Sequence, residues 1–370
     1  MRIAYVLTRS DATGGASVHV RDLASQMVAE GHQVEVLIGG NGQVADELRR
    51  TGLSVTCLQH LRRTLNPIRD ARAYREMIGR LKELRPDLVS THTAKAGWLG
   101  RAACSRLGIP ALYTPHGWTI TDRISRHQGQ VYAVAERIAA RWCDAIVCVC
   151  DAERRIALDR RVGKPRQLHV IHNGVKDIDD RLRASPAASP PTLVSIARFE
   201  APKDHSFLVM TLAGLQDLDW NLVLVGDGPL LGAVRQLAGE LGIGGRVRFP
   251  GYLTDPAEAM STAQMFVLSS RSEGFPRSIL EAMRAGLPVV ASDVGGVREA
   301  VEDGINGSVF PHGHLDSLRR ALRDLIESPL NRERFGQAGR QLFEIRFGFD
   351  QMVRATQNLY VSVIGERRRP

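Results

Sequence analysis

Short apolar runs recur along this chain, each closed by small or polar residues. They lie at residues 2–7, 33–38, 87–90, 110–113 and 145–150, and again at 192–197, 221–225, 247–252, 265–268 and 289–292. Such runs suit strands of a parallel sheet covered on both faces. Between them apolar residues return at helical spacing, as in Val20, Leu23 and Met27. Strand and helix alternating in this way predict an α/β fold of doubly wound parallel sheets. Residues 185–191, Ser-Pro-Ala-Ala-Ser-Pro-Pro, have linker composition, and the alternation restarts after them. A chain of 370 residues exceeds one ordinary core. Two domains are therefore predicted, 1–180 and 181–345, followed by a closing helix and basic tail over 346–370.

The richest stretch runs from 265 to 292. Met265-Phe266-Val267-Leu268 and Val289-Val290-Ala291-Ser292 read as buried strands. Between them Ile279, Leu280, Met283 and Leu287 recur at helical spacing, and Gly286 and Pro288 stop that helix. The loop Glu273-Gly274-Phe275-Pro276 thus follows a strand and opens a helix. Backbone N–H groups and the helix dipole collect an anion at such a place. Glu273 and Glu281 flank the opening, separated by seven residues. Acids beside a bound phosphate would repel it, which favours hydrogen bonds to sugar hydroxyls. On spacing alone, a helix cap at Glu273 and a solvent-facing Glu281 serve as well.

Other candidates follow strand ends. Arg198 and Lys203 lie five apart after the run 192–197, a cationic pair suited to a diphosphate or simply two surface charges. Gly14-Gly15 follows the first strand, but it is not G-x-G-x-x-G and no acid follows the second strand. A dinucleotide cofactor is not expected. His92 and His116 each come just after an apolar run, where open α/β sheets bind ligands and where ordinary polar histidines also occur.

Net charge is +9, which invites nucleic acid or an anionic membrane surface. Much of it gathers in residues 61–85. There Leu65, Ile68, Tyr74, Met77, Ile78, Leu81 and Leu84 recur at helical spacing among eight basic residues and three acids. Such a helix either lies on anionic headgroups or presents a solvated face over a normal core. Aromatics make up only 5% of the chain and no stacking motif accompanies the arginines, which speaks against nucleic acid. Five cysteines do not make a disulfide framework. Cys143, Cys148 and Cys150 read as small core residues rather than metal ligands. No apolar run approaches the ~18 residues of a membrane span, and the first strand is too short for a signal peptide. A cytoplasmic protein is expected, with the inner face of the membrane open as a docking site.

Glu273-Gly274-Phe275-Pro276 through Glu281, set in EGFPRSILEAMRAGLPVVAS, resembles the E-x7-E element of retaining glycosyltransferases of family 4. Arg198 and Lys203 are similar to that family's R-x4-K pair. Residues 91–97 and 114–118 (THTAKAG and TPHGW) resemble members that build bacterial polysaccharides. The resemblance covers nearly the whole chain, most weakly over 40–85. It implies the GT-B fold, two Rossmann-like domains facing a central cleft, with the C-terminal helix crossing back to the first domain.

The resemblance also implies roles. Arg198, Lys203 and the Gly274–Arg277 amides would stabilise the departing diphosphate. Glu273 would contact the donor sugar, Glu281 the ribose, and Gly15 the donor phosphate. Gly274, Phe275, Pro276 and Arg277 form the phosphate-binding loop, and Arg248 and Tyr252 lie near the base. His116 would reach the donor sugar beside the reacting carbon, with His92 and Lys95 on the acceptor side. The implied reaction moves a hexose or N-acetylhexosamine from a nucleotide donor, UDP-linked by expectation, to a saccharide on a polyprenyl-diphosphate carrier. Neither a metal nor another cofactor is implied. A nucleotide-sugar epimerase would need further acids and a phosphorylase a pyridoxal-binding lysine. A non-catalytic membrane or nucleic-acid binder would rest on charge alone.

Overall fold

The computed structural model describes residues 1–120 and 126–368. The end of the predicted basic tail, Arg369 and Pro370, lies outside the described residues. Two compact units are present, Met1–His172 with Met352–Pro370, and Asn173–Gln351. The division was expected near residue 180; residues 185–191 lie within the second unit.

In the first unit the strands are β1 (Arg2–Leu7), β2 (Gln33–Gly39), β3 (Ser54–Leu58), β4 (Leu88–His92), β5 (Ala111–Thr114), β6 (Ala145–Cys148) and β7 (Leu168–Val170). Helices α1 (Gly15–Ala29), α2 (Gln43–Arg50), α3 (Pro67–Leu84), α4 (Ala94–Leu107), α5 (Arg126–Ala139) and α6 (Asp151–Asp159) connect them. The sheet is ordered β3-β2-β1-β4-β5-β6-β7. β1 pairs in parallel with β2 on one side and β4 on the other, with Leu7 opposite His92. The strand order therefore reverses between β1 and β4. Loops leaving these two strands diverge to opposite faces and open a crevice at their carboxyl ends.

The second unit repeats the plan. Its strands are β8 (Thr192–Ile196), β9 (Asn221–Val225), β10 (Val247–Gly251), β11 (Met265–Leu268), β12 (Val289–Ser292) and β13 (Gly307–Phe310), ordered β10-β9-β8-β11-β12-β13. The helices that follow here are α7 (His205–Ala213), α8 (Leu231–Glu240), α9 (Ala257–Ser261), α10 (Arg277–Arg284), α11 (Val297–Ala300), α12 (Leu315–Glu327) and α13 (Pro329–Arg346). The order reverses between β8 and β11, the strands that precede Lys203 and Glu273. The chain closes with α14 (Phe349–Arg368), whose residues from Met352 onward belong to the first unit.

Each unit has its own core. Val6, Leu37, Met77, Val89 and Ile146 belong to one cluster, and Leu193, Leu224, Val267, Val290 and Phe310 to the other. Several boundaries differ from expectation, most of them by one residue, and three differ by more. The strand expected over 87–90 runs to His92, because Thr91 and His92 continue the pairing with β5. The strand expected over 145–150 stops at Cys148, and Cys150 instead caps α6, its sulfur accepting from the Glu153 N–H. The basic helix starts at Pro67, where Asn66 accepts from the Arg69 N–H. Leu65 therefore precedes it, and Leu65 and Ile68 stand exposed while Ala73, Met77 and Leu81 carry the buried stripe. Cys104, Cys143, Cys148 and Cys150 are buried, and burial pushes the Cys143 thiol up to about 11.

Candidate active site

The Glu273 loop is built from three directions within the second unit. From the β8 side, residues 200–204 are laced to 269–271. The Asp204 N–H donates to the Ser269 carbonyl at 3.0 Å and the Arg271 N–H to the Pro202 carbonyl at 2.9 Å. That lacing brings Lys203 to Glu273, and the ammonium donates to the Glu273 carboxylate. Asp204 fixes the next step of the chain by accepting from the Phe207 N–H at the start of α7. Although burial opposes it, hydrogen bonds from Arg271 and the Phe207 amide hold the Asp204 carboxyl below its ordinary range.

Behind the loop stands Gly295, whose φ is +58°. A Cβ there would lie 2.0 Å from the Glu273 carbonyl oxygen. The Gly296 N–H donates to the Gly274 carbonyl at 2.8 Å. Only a residue without a side chain allows this approach. From the third direction, Asn173 Nδ2 donates to the Phe275 carbonyl at 2.7 Å and Arg277 Nη1 donates to the Gly174 carbonyl at 3.1 Å. Pro276 closes the loop as the residue before α10, and Phe275 packs its ring 5.4 Å from Phe347. Glu281 follows on α10, half-buried. The loop is thus rigid backbone ahead of a helix N-terminus, a place suited to phosphate oxygens.

Both expected cations are engaged. Arg198 Nη2 lies 2.8 Å from Glu200 Oε2, and Lys203 is on Glu273. An incoming diphosphate must therefore compete with two carboxylates. Beside Lys203 a cavity of about 250 Å³ is lined by Pro202, His205, Leu230, Val234 and Arg271 among others. His205 is buried flat against Phe199 at 4.1 Å, and burial, followed by the Lys203 charge, lowers its pKa to about 4. Arg248 is exposed on the edge strand β10, and Tyr252 follows it, also exposed.

At the reversal point of the first unit, His19, His92 and His116 meet. Their ring nitrogens lie within 4.8 Å of one another. His92 Nδ1 is 2.9 Å from His116 Nε2. Backbone strain collects here, with φ of +69° at Thr93 and +54° at His116, in regions that side chains disfavour. Thr93 is tied down by the Thr8 hydroxyl at 2.8 Å, which also accepts from the Ala96 N–H. His92 itself is buried on the end of β4, where a loop was expected, and its ring touches His116. Lys95 is also buried, its ammonium 2.6 Å from Asp70 and donating to the Thr64 carbonyl, which ties α4 to the start of α3. Gly15 opens α1 with clear space where a side chain would stand.

His19 lies on α1 four residues after Gly15. In the sequence it stands in the segment that resembles the family's N-terminal glycine loop, which gave it no role of its own.

Comparison with known proteins supplies the rest. Residues 13–177 match the family model described as Glycosyltransferase Family 4, and residues 178–342 match Glycosyl transferases group 1. The chain belongs to the family 4 glycosyltransferases. It is 26% identical over 342 residues to the Bacillus subtilis protein EpsD, covering 88% of each chain. It is 26% identical to the Escherichia coli UDP-Gal:alpha-D-GlcNAc-diphosphoundecaprenol alpha-1,3-galactosyltransferase, covering 70% of this chain and 71% of that one. Among solved structures, HepE of Anabaena with UDP and glucose superposes with a TM-score of 0.84 over 98% of this chain and 100% of that chain, at 23% identity. That likeness gives the GT-B fold to this glycosyltransferase.

Proposed function

We propose that this glycosyltransferase moves a hexose or N-acetylhexosamine from a UDP-linked donor to a hydroxyl of a polyprenyl-diphosphate-linked saccharide, with retention at the anomeric carbon and without a metal. The observation that carries this reading is the Lys203–Glu273 ion pair in front of the α10 N-terminus. A diphosphate arriving at the loop draws the ammonium away from Glu273. The freed carboxylate then accepts from a sugar hydroxyl, and Glu281 accepts from the ribose. Charge develops on the leaving phosphate as the anomeric C–O bond breaks. Arg198 and Lys203, drawn from their carboxylates, meet it together with the loop amides, which are fixed in advance. The acceptor oxygen bonds to the same face, and its proton passes to the departing phosphate, so no protein base is required.

The donor and acceptor classes are supported by the relatives. The Escherichia coli relative is named for UDP-galactose and a diphosphoundecaprenol-linked acceptor, and HepE was solved with UDP and glucose. A lipid-linked acceptor fits the exposed face of α3, where Arg69, Arg72, Arg75, Arg80 and Lys82 point outward beside Ile68. That face would rest on anionic headgroups, each cation near the surface contributing about 1 kcal/mol. No described helix is long and apolar enough to cross a membrane.

The test is transfer from a panel of UDP-sugars to a synthetic polyprenyl-diphosphate saccharide in the presence of EDTA. The reading expects one sugar transferred, with the α configuration of the donor kept in the product. Inverted product, or activity abolished by EDTA and restored by magnesium, would overturn it.

A further inference from the structure

The chain between β3 and α3 is held along its backbone while Arg62, Arg63 and Leu65 stay exposed. The Gln59 and His60 N–H groups donate to the Glu76 carboxylate at 2.8 and 3.1 Å. Leu61 is fully buried. The Thr64 carbonyl accepts from the Lys95 ammonium, which itself lies 2.6 Å from Asp70. The Asn66 N–H donates to Asp70 Oδ2 at 3.2 Å, and the Asn66 side chain caps α3.

These fastenings also place the loop. Lys95 stands at the start of α4, which follows β4, and the sheet order is β3-β2-β1-β4. To reach Lys95 from the end of β3, the loop crosses the carboxyl ends of β2 and β1. Arg62 marks the crossing. A Cβ on Gly40, just past β2, would lie 2.1 Å from Arg62 Nη1, and φ there is +82°. Only glycine leaves that space to the guanidinium. The loop thus passes the reversal of strand order between β1 and β4, where open α/β sheets bind ligands.

Burying an ammonium is unfavourable unless it is paired, yet here the buried pair secures a surface loop. Among the described residues neither Arg62 nor Arg63 forms an ion pair. By contrast Arg9, after β1, and Arg49, on α2, are paired with Asp11 and Asp46. Beside the two cations Leu65 is 62% and Ile68 70% exposed. Two unneutralised guanidinium forks therefore adjoin two bare aliphatic side chains on a backbone fixed in advance. Guanidinium forks meet phosphate oxygens in pairs, and a fixed loop loses little freedom on binding. A nucleotide carries no hydrocarbon chain to cover Leu65 and Ile68, whereas an amphiphilic diphosphate does.

We propose that Arg62 and Arg63 bind the diphosphate of a prenyl-linked acceptor, with Leu65 and Ile68 along the first part of its hydrocarbon chain. This site rests on the acceptor class proposed above. It is separate from the cations of α3 that face headgroups from Arg69 onward.

The test is calorimetric titration of the full chain with farnesyl diphosphate, with UDP in excess to fill any nucleotide site. Inorganic diphosphate and vesicles of phosphatidylcholine with phosphatidylglycerol are titrated alongside. Farnesyl diphosphate is expected to bind more tightly than inorganic diphosphate. The double variant Arg62→Ala with Arg63→Ala, whose side chains leave the surface and not the core, should weaken farnesyl diphosphate at least about tenfold. Its UDP affinity should not change, and its vesicle binding should fall by less. Equal binding of farnesyl diphosphate by wild type and variant overturns the proposal, as does equal affinity of wild type for inorganic diphosphate. A loss of vesicle binding as large as the loss of farnesyl diphosphate binding overturns it too and assigns both arginines to the bilayer. Sugar transfer to a polyprenyl-diphosphate saccharide is read separately. No transfer, with farnesyl diphosphate bound as expected, would leave this site standing and remove the acceptor reading.

Discussion

At the scale of single residues, the proposed chemistry rests on Lys203 and Glu273. Their contact spans 70 positions of sequence yet depends on a short lacing between residues 200–204 and 269–271. In the proposed reaction Lys203→Ala removes a cation from the leaving phosphate, so kcat should fall about a hundredfold or more. Steady-state kinetics at saturating donor checks this, and a near-normal rate would refute the assignment. Both residues were legible in the sequence because each follows a strand end within a recognisable pattern. Their pairing was not, since it depends on which strands are neighbours. The burial of His92 and Lys95 was not legible for a related reason. One extra pair of residues on β4 carries His92 inside, and Asp70, distant in sequence, takes the Lys95 ammonium.

At the scale of elements, two supports hold the site loops. Gly295 touches the carbonyl of Glu273, and its positive φ is hostile to any side chain. Gly295→Ala is expected to push the loop out of place, weakening UDP binding at least about tenfold while leaving the fold intact. Calorimetric titration with UDP measures the loss. In the first unit, α4 and α5 are joined by a buried ion pair. Arg101 Nη2 lies 2.7 Å from Glu136 Oε2, with both side chains fully buried. Glu136 also accepts from Trp98 Nε1 at 2.7 Å and from the Tyr113 hydroxyl at 3.2 Å, and the Arg101 guanidinium lies 3.9 Å from the Tyr113 ring centroid. Glu136→Ala leaves Arg101 uncompensated and should cost about 3–5 kcal/mol, read from the urea midpoint. The strands and most helices were visible as apolar runs. This network was not, because an acid and an arginine 35 residues apart carry no periodic signal.

At the scale of the molecule, repetition explains the design. Two parallel sheets each reverse their order once, and each reversal gathers polar side chains beside an apolar core. Buried neutral histidines at these points link stability to pH. The pKa of His205 is lowered from its ordinary value to about 4 and that of His92 lies well below its own. The unfolded chain therefore binds more protons than the folded one between pH ~6.5 and ~4. Stability from these residues is full above the unfolded pKa and is lost as pH falls through that window. His205 alone accounts for about 3 kcal/mol. Urea midpoints at pH 7 and pH 5 should fall in that order, and His205→Gln should flatten the slope.

In the proposed reaction the second unit holds a nucleotide-sugar donor through the loop between Glu273 and Glu281. Its most direct test is calorimetric binding of UDP-, GDP- and ADP-sugars to the full chain without metal or acceptor. Selective binding of a UDP-sugar is expected, weakened about tenfold or more by Glu281→Ala as the ribose loses a charged acceptor. Equal binding to wild type and Glu281→Ala, or binding to none of the three nucleotide classes, would contradict it.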